Sequence, residues 1–128
     1  MSVSNNFMRL GVLSALVGMM VGMWMGANND FTLTGLHAHI NLLGFTSMML
    51  FGLFYRFHPE IAKGRLAAGH FILWVLGFLV LMPSLGLMLL GQPFSLPLMI
   101  GSQVALVLAM VLFAVVIFIA TQKKPVAA

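Results

Sequence analysis

Two histidines stand two positions apart in the stretch GLHAHINLLGF, residues 35–45, at the beginning of a long apolar run. A helix turns by about 100° per residue, so His37 and His39 point about 200° apart with about 3 Å of rise between them. One metal ion therefore cannot easily take both side chains from a single helix. A lone histidine here is typical of a cap or an interfacial hydrogen-bonding residue, but ionisable groups are costly inside a membrane, so a pair predicts a cofactor or metal site.

The composition of the chain is that of a membrane protein. Of its 128 residues, 62% are hydrophobic and 6% are charged, against about 25% charged residues in an average soluble protein. The formal net charge is +4, but the basic residues are too few and too scattered for a nucleic-acid-binding surface. The chain has no cysteine, which excludes disulfides, iron–sulfur clusters and thiolate metal sites.

The chain contains four long apolar segments. They predict an all-α fold, because helices satisfy their own backbone groups in lipid. We predict a four-helix transmembrane bundle that forms a single domain over residues 1–128. The tryptophans Trp24 and Trp74 are expected in the interfacial belts. The predicted spans, each about 20 residues or longer, are about 7–26, 36–57, 66–90 and 95–121.

The distribution of charge predicts an orientation. The loops at 27–35 and 91–94 carry only Asp30, whereas every Lys and Arg lies on the other side of the four-span arrangement. By the positive-inside rule, both termini are cytoplasmic and the His37–His39 pair lies near the periplasmic side of a bacterial inner membrane. The basic residues are Arg9, Arg56, Lys63, Arg65, Lys123 and Lys124.

The other two histidines lie at the opposite end of the predicted bundle. His58 precedes Pro59 in a basic loop, where a solvated residue is expected. His70 lies near the start of the third span and is expected to be an interfacial anchor or a hydrogen-bonding core residue, with a ligand role as the alternative. Roughly 20 residues at 1.5 Å per residue separate His70 from the pair by about 25 to 30 Å, so they cannot share a cofactor.

The segment LHAHINLLGFTSMMLFGLFYRFHP resembles the haem-binding helices of the catalytic subunit of haem–copper oxidases and nitric oxide reductases, and of short single-bundle relatives of that subunit. In that family, arcs of four helices carry their metal ligands largely on the second helix. The resemblance implies that this chain is one arc and that it forms a symmetric trimer. His37 of one subunit and His39 of the next would then ligate a b-type haem across each subunit interface.

The chain also departs from that family. No Lys or Arg occurs from position 10 to 55, the third histidine of a copper site is missing, and Tyr55 lies far from the pair. We therefore expect electron transfer or haem or gas sensing rather than catalysis, because no oxidase or reductase active site is complete. Asn41 is expected to fix the imidazole or a haem propionate, or else to make a helix-packing hydrogen bond. The other propionate partners expected besides water are Asn28, Asn29, Thr32, Thr34 and Gln92.

Small residues repeat at every fourth position of the first span: Ser14, Gly18, Gly22 and Gly26. Such a pattern allows another helix to approach closely. The sequence leaves open whether that helix belongs to the same bundle or to another subunit.

A second hypothesis is copper binding. The stretch GMMVGMWMG places Met19 and Met23 one helical turn apart, with Met20 and Met25 nearby, at the same end as the histidine pair. Thioether and imidazole ligands suit copper(I), and a methionine pair of this kind resembles those of small trimeric copper transporters. A third hypothesis is an assembly subunit that holds no cofactor.

Overall fold

The computed structural model describes residues 2–122, and over this range the chain is helical without any β-strand. Four helices are long and apolar enough to cross a membrane, which confirms the predicted all-α fold with four long apolar helices. A short helix, α3, joins the second and third of them at Pro59–Ala62. The four long helices are α1 (Val3–Asn28), α2 (Thr34–Phe57), α4 (Arg65–Leu89) and α5 (Leu96–Thr121).

The first helix begins four residues before the predicted start. The side-chain oxygen of Ser2 accepts a hydrogen bond from the amide of Asn5, which caps the helix at Val3. At the other end, Asn29 adopts the left-handed conformation that closes many helices, with a φ of 48°. Capping residues therefore extend α1 beyond the apolar stretch from which its span was predicted. Of the basic residues used for the orientation, Lys123 and Lys124 lie outside the described residues.

The repeated small residues of α1 pack against α2 within the same chain. A Cβ atom at Gly18 would lie 2.6 Å from the amide oxygen of Asn41, and one at Gly44 would lie 2.6 Å from the Cβ of Ser14. Both distances are shorter than any normal contact, so the two helix backbones approach closely because these side chains are absent. The structure thus assigns Ser14, Gly18 and Gly22 to the internal α1–α2 interface, whereas a Cβ atom at Gly26 would meet nothing within 4 Å.

A π-helical segment, Ile40–Thr46, interrupts α2 directly after the two histidines. Two of its carbonyl groups accept hydrogen bonds from side chains: the Ser47 hydroxyl donates to the Leu42 carbonyl at 2.7 Å, and the indole Nε1 of Trp74 donates to the Leu43 carbonyl at 3.1 Å. Short π segments inside α-helices often occur at functional sites. The segment separates the turns that carry the histidines from the remainder of α2.

All four long helices contribute to the core, which is rich in aromatic side chains. Trp74 is only 2% exposed and packs edge-on against Phe51 with 4.8 Å between ring centroids, so the prediction that Trp74 lies in an interfacial belt is wrong. Helix α5 packs mainly along α4. Its Phe113 reaches the ring of Phe51 at 4.6 Å. Towards the α4–α5 loop, side chains of α2, α4 and α5 surround an open groove.

Candidate functional site

The side chain of His37 lies on α2 and faces α1. Its Nδ1 atom is 2.8 Å from the carbonyl oxygen of Gly18. The imidazole lies over Gly22, where a Cβ atom would be 2.9 Å from Cε1 of the ring. The glycines of α1 therefore make both the space and the acceptor for this histidine, which is half-buried.

The side chain of His39 lies on a different side of α2. Its Nδ1 atom is 2.7 Å from the carbonyl oxygen of Gly35, one turn earlier in the same helix. His39 is exposed and lines the open groove of about 330 Å³ between α2, α4 and α5. Gln103 contributes a side-chain amide to this groove, and the remaining lining is mostly apolar: Leu43, Trp74, Leu81, Leu85, Met99, Leu106, Val107 and Met110.

These hydrogen bonds fix the same tautomer in both histidines. A carbonyl oxygen can only accept, so the Nδ1 atoms of His37 and His39 must carry the proton. The lone pair of each neutral ring is then on Nε2, which has no hydrogen-bond partner within residues 2–122. Metal-binding histidines are commonly oriented by such a bond from the second ring nitrogen. The Nε2 lone pair of each side chain is therefore available to a metal ion.

Asn41 is bound to the backbone of His37. Its amide Nδ2 donates to the His37 carbonyl at 2.8 Å and lies 3.4 Å from the Nδ1 of that residue. Because both of these nitrogens carry protons, the longer contact is not a hydrogen bond. The Asn41 side chain is therefore hydrogen-bonded to the backbone of the turn that carries His37, and it fills the space beside Gly18.

The two histidines do not share one centre in the chain. His37 faces α1 and His39 faces the groove beside α4 and α5, as their spacing predicts. Within residues 2–122, no group of three His, Cys, Asp or Glu side chains is close enough to hold a metal ion. His58 lies at the other end, where its Nδ1 atom contacts the Phe54 carbonyl at 3.0 Å. Each member of the pair is thus a single candidate ligand, and the other two histidines lie at the opposite end of the bundle.

The sequence reasoning missed a buried hydrogen bond between Tyr55 and His70. The Tyr55 hydroxyl lies 2.9 Å from Nδ1 of His70, both side chains are at most 1% exposed, and Nε2 of His70 has no partner. Three phenylalanine rings pack around the imidazole, with centroids at 5.1 Å for Phe7, 4.5 Å for Phe51 and 5.0 Å for Phe113. The available signal was position: Tyr55 lies near the end of α2 and His70 near the beginning of α4, so both lie close to the turn that joins them.

Several of the polar side chains that were expected to face haem propionates already make hydrogen bonds to neighbouring residues. The Asn28 amide donates to the Trp24 carbonyl at 2.9 Å, and the Thr34 hydroxyl donates to the Phe31 carbonyl at 2.7 Å. The hydroxyl and amide of Thr32 both donate to Asp30, which holds the pKa of that carboxyl below its ordinary value.

The methionines of α1 divide into two groups. Met19, Met20 and Met23 are 60–73% exposed on the surface of the helix, whereas Met25 is buried and its sulfur lies 3.9 Å from the Thr34 hydroxyl. Met19 and Met23 remain one turn apart on the part of α1 where His37 packs. Because Met25 is buried, it does not share the exposed helix surface on which Met19 and Met23 lie.

The helices and their composition define a multi-pass α-helical membrane protein. Comparisons of the chain with protein-family models, with characterised proteins and with solved structures found no match. The assignment of a function therefore rests on the arrangement of the two histidines.

Proposed function

We propose that the chain is a b-type haem-binding membrane protein in which His37 and His39 each supply one axial ligand through Nε2. The observation that carries the proposal is the pair of hydrogen bonds from Nδ1 to the Gly18 and Gly35 carbonyls, at 2.8 and 2.7 Å. They orient both rings and leave both Nε2 atoms free, as haem ligation requires.

The second axial ligand of each haem comes from another copy of the chain. The pair faces two sides of α2, and the remaining histidines lie at the other end of the bundle. A symmetric trimer with His37 of one subunit opposite His39 of the next gives three equivalent sites. The apolar groove beside His39 suits a largely hydrophobic macrocycle, and the Gln103 amide is the polar group available there.

Two histidine ligands leave the iron no open position, which favours electron transfer over substrate turnover. Haem or gas sensing would require one histidine to leave the iron. The basic residues Arg56, Lys63 and Arg65 lie at one end of the bundle and Asp30 at the other. We therefore infer a bacterial inner membrane with both termini in the cytoplasm and the histidine pair near the periplasmic side.

A visible spectrum of protein purified in detergent from haem-replete cells tests the proposal. We expect a sharp α band on reduction and a Soret shift typical of bis-histidine haem, both lost in His37→Ala and in His39→Ala. His58→Ala is the matched control, because it removes a histidine at the other end, and it should retain the spectrum. Colourless wild-type protein contradicts haem binding and favours the assembly subunit without a cofactor.

Mixing the two variants tests ligation across the interface. A trimer that contains both His37→Ala and His39→Ala subunits has one interface with both ligands intact. Random co-assembly therefore restores about a quarter of the wild-type haem sites, whereas either variant alone restores none. Absence of recovery in co-purified mixed oligomers, or a haem-loaded monomer by native mass measurement, contradicts cross-subunit ligation.

Copper(I) binding is the second candidate, favoured by the exposure of Met19 and Met23 one turn apart. Metal analysis of the same preparation separates it from haem binding. Copper at a fixed stoichiometry, lost on replacement of Met19 and Met23 by Leu in protein without a haem spectrum, would favour copper.

A further inference from the structure

A cleft of about 350 Å³ lies at the end of the bundle opposite the histidine pair. The beginning of α1, the end of α2, the short helix α3 and the beginning of α4 surround it. Its lining consists of Ser2, Val3, Ser4, Tyr55, Arg56, Pro59, Ala62, Lys63, Gly64 and Ala68.

Two cationic side chains line this cleft, and among the described residues no carboxylate does. An Nη atom of Arg56 donates to the side-chain oxygen of Asn5 at 3.0 Å, which holds the guanidinium near the start of α1 without neutralising it. Lys63 lies 3.9 Å from Glu60, but both side chains are more than three-quarters exposed, so this ion pair is weak. The cleft therefore has a net positive charge.

The remainder of the lining suits an amphiphile better than a small soluble anion. Val3, Pro59, Ala62 and Ala68 present apolar surface beside the two cations. The cleft also lies at the ends of three membrane-spanning helices, where the headgroups of the surrounding lipid are located. Phe57, which is 76% exposed, ends α2 at the same level.

We propose that this cleft binds the phosphate headgroup of an anionic phospholipid, with Arg56 and Lys63 as its cationic contacts. Basic pockets between membrane helices commonly bind such headgroups. The apolar part of the lining contacts the glycerol and upper acyl region. The site is independent of the proposed haem site, since the two lie at opposite ends of the bundle.

Lipid retention measured by native mass spectrometry tests the site, with the full chain released from nanodiscs that contain equal amounts of phosphatidylglycerol and phosphatidylcholine. The wild type is expected to retain one phosphatidylglycerol in preference to phosphatidylcholine. Arg56→Gln and Lys63→Gln should each weaken this preference about fivefold, and the double variant more strongly. Arg9→Gln is the matched control, because it removes an equal charge from α1 at the same end without altering the cleft lining.

Two further controls separate the possible outcomes. Asn5→Ala removes the partner of Arg56 but no charge, and it should change retention much less than Arg56→Gln. Lys63 is too exposed to be needed for folding, so its variant tests the site even if Arg56→Gln folds poorly. Equal loss in Arg9→Gln, no preference for the anionic lipid, or displacement of the lipid by millimolar inorganic phosphate would overturn the proposal; the last result would indicate a free-phosphate site.

Discussion

The indole Nε1 of Trp74 donates a hydrogen bond to the carbonyl oxygen of Leu43 at 3.1 Å. Leu43 lies in the π segment one turn after His39, and both Leu43 and Trp74 line the groove beside that histidine. The bond therefore connects α4 to the part of α2 that carries the candidate ligands. It also gives a carbonyl of the π segment a side-chain donor from a neighbouring helix.

Trp74→Phe is expected to lower the free energy of unfolding by roughly 1–2 kcal/mol, because it removes the hydrogen bond to the Leu43 carbonyl and reduces packing in the core. Equilibrium unfolding in mixed micelles measures this change, and hydrogen exchange should be faster at residues 40–47. Trp24→Phe is the matched control, since Trp24 is 45% exposed on α1. Equal losses in the two variants would show that the buried indole has no special role.

Gly22→Ala is expected to displace the imidazole of His37, because the added Cβ would lie 2.9 Å from its Cε1 atom. Crowding of this kind typically costs about 1–3 kcal/mol, which exceeds the roughly 0.5–1 kcal/mol that alanine gains over glycine within a helix. The variant should be less stable, and if His37 ligates haem it should also bind less haem.

Gly26→Ala is the control for that prediction. It makes the same substitution one turn later in α1, where nothing lies within 4 Å. Its stability should equal or slightly exceed that of the wild type, and its haem content should be unchanged. Thermal unfolding of the two variants in the same detergent gives the comparison. Equal stability of Gly22→Ala and Gly26→Ala would contradict the packing of His37 against α1.

Hydropathy was sufficient to predict the helices, because a chain in lipid must satisfy its backbone groups within each span. The opposed directions of His37 and His39 also followed from the sequence, since the rotation of a helix between neighbouring residues is fixed. The start of α1 was predicted less well, because the cap at Ser2 lies outside the apolar stretch.

The contacts between helices could not be predicted in the same way. The spacing of Gly18 and Gly22 indicated close approach of another helix, but which helix depends on the tertiary arrangement. Trp74 is buried and donates to a carbonyl of the π segment of α2, and hydropathy contains no signal for a π segment. The carbonyl groups that bind the two histidines could not be predicted either, because their positions depend on the folded backbone.

Thr32→Val is expected to raise the pKa of Asp30 towards its ordinary value of 3.8, because it removes the hydroxyl that donates to the carboxylate. The amide of residue 32 still donates, so the return should be incomplete. With the folded pKa depressed, the carboxylate stabilises the α1–α2 loop above about pH 4 and loses this contribution as the pH falls through the folded value. An NMR titration of Asp30 measures the pKa, and an unchanged value in the variant contradicts the prediction.

Tyr55→Phe tests the buried hydrogen bond to His70. The substitution leaves Nδ1 of His70 without a partner, in addition to Nε2, which already lacks one. We expect a loss of about 1 kcal/mol in the free energy of unfolding, because a buried polar atom is left unpaired, while hydrogen bonds in membrane proteins contribute modestly. Unfolding in mixed micelles again provides the measurement.

A double-mutant cycle with His70→Leu separates this bond from the surrounding aromatic packing. Once the imidazole is replaced by an apolar side chain, loss of the Tyr55 hydroxyl should no longer leave a nitrogen unpaired, so Tyr55→Phe should cost less in the His70→Leu background than in the wild type. The expected coupling is about 0.5–1.5 kcal/mol. Additive losses would mean that the 2.9 Å contact contributes nothing to stability and that the aromatic rings alone hold the two side chains in place.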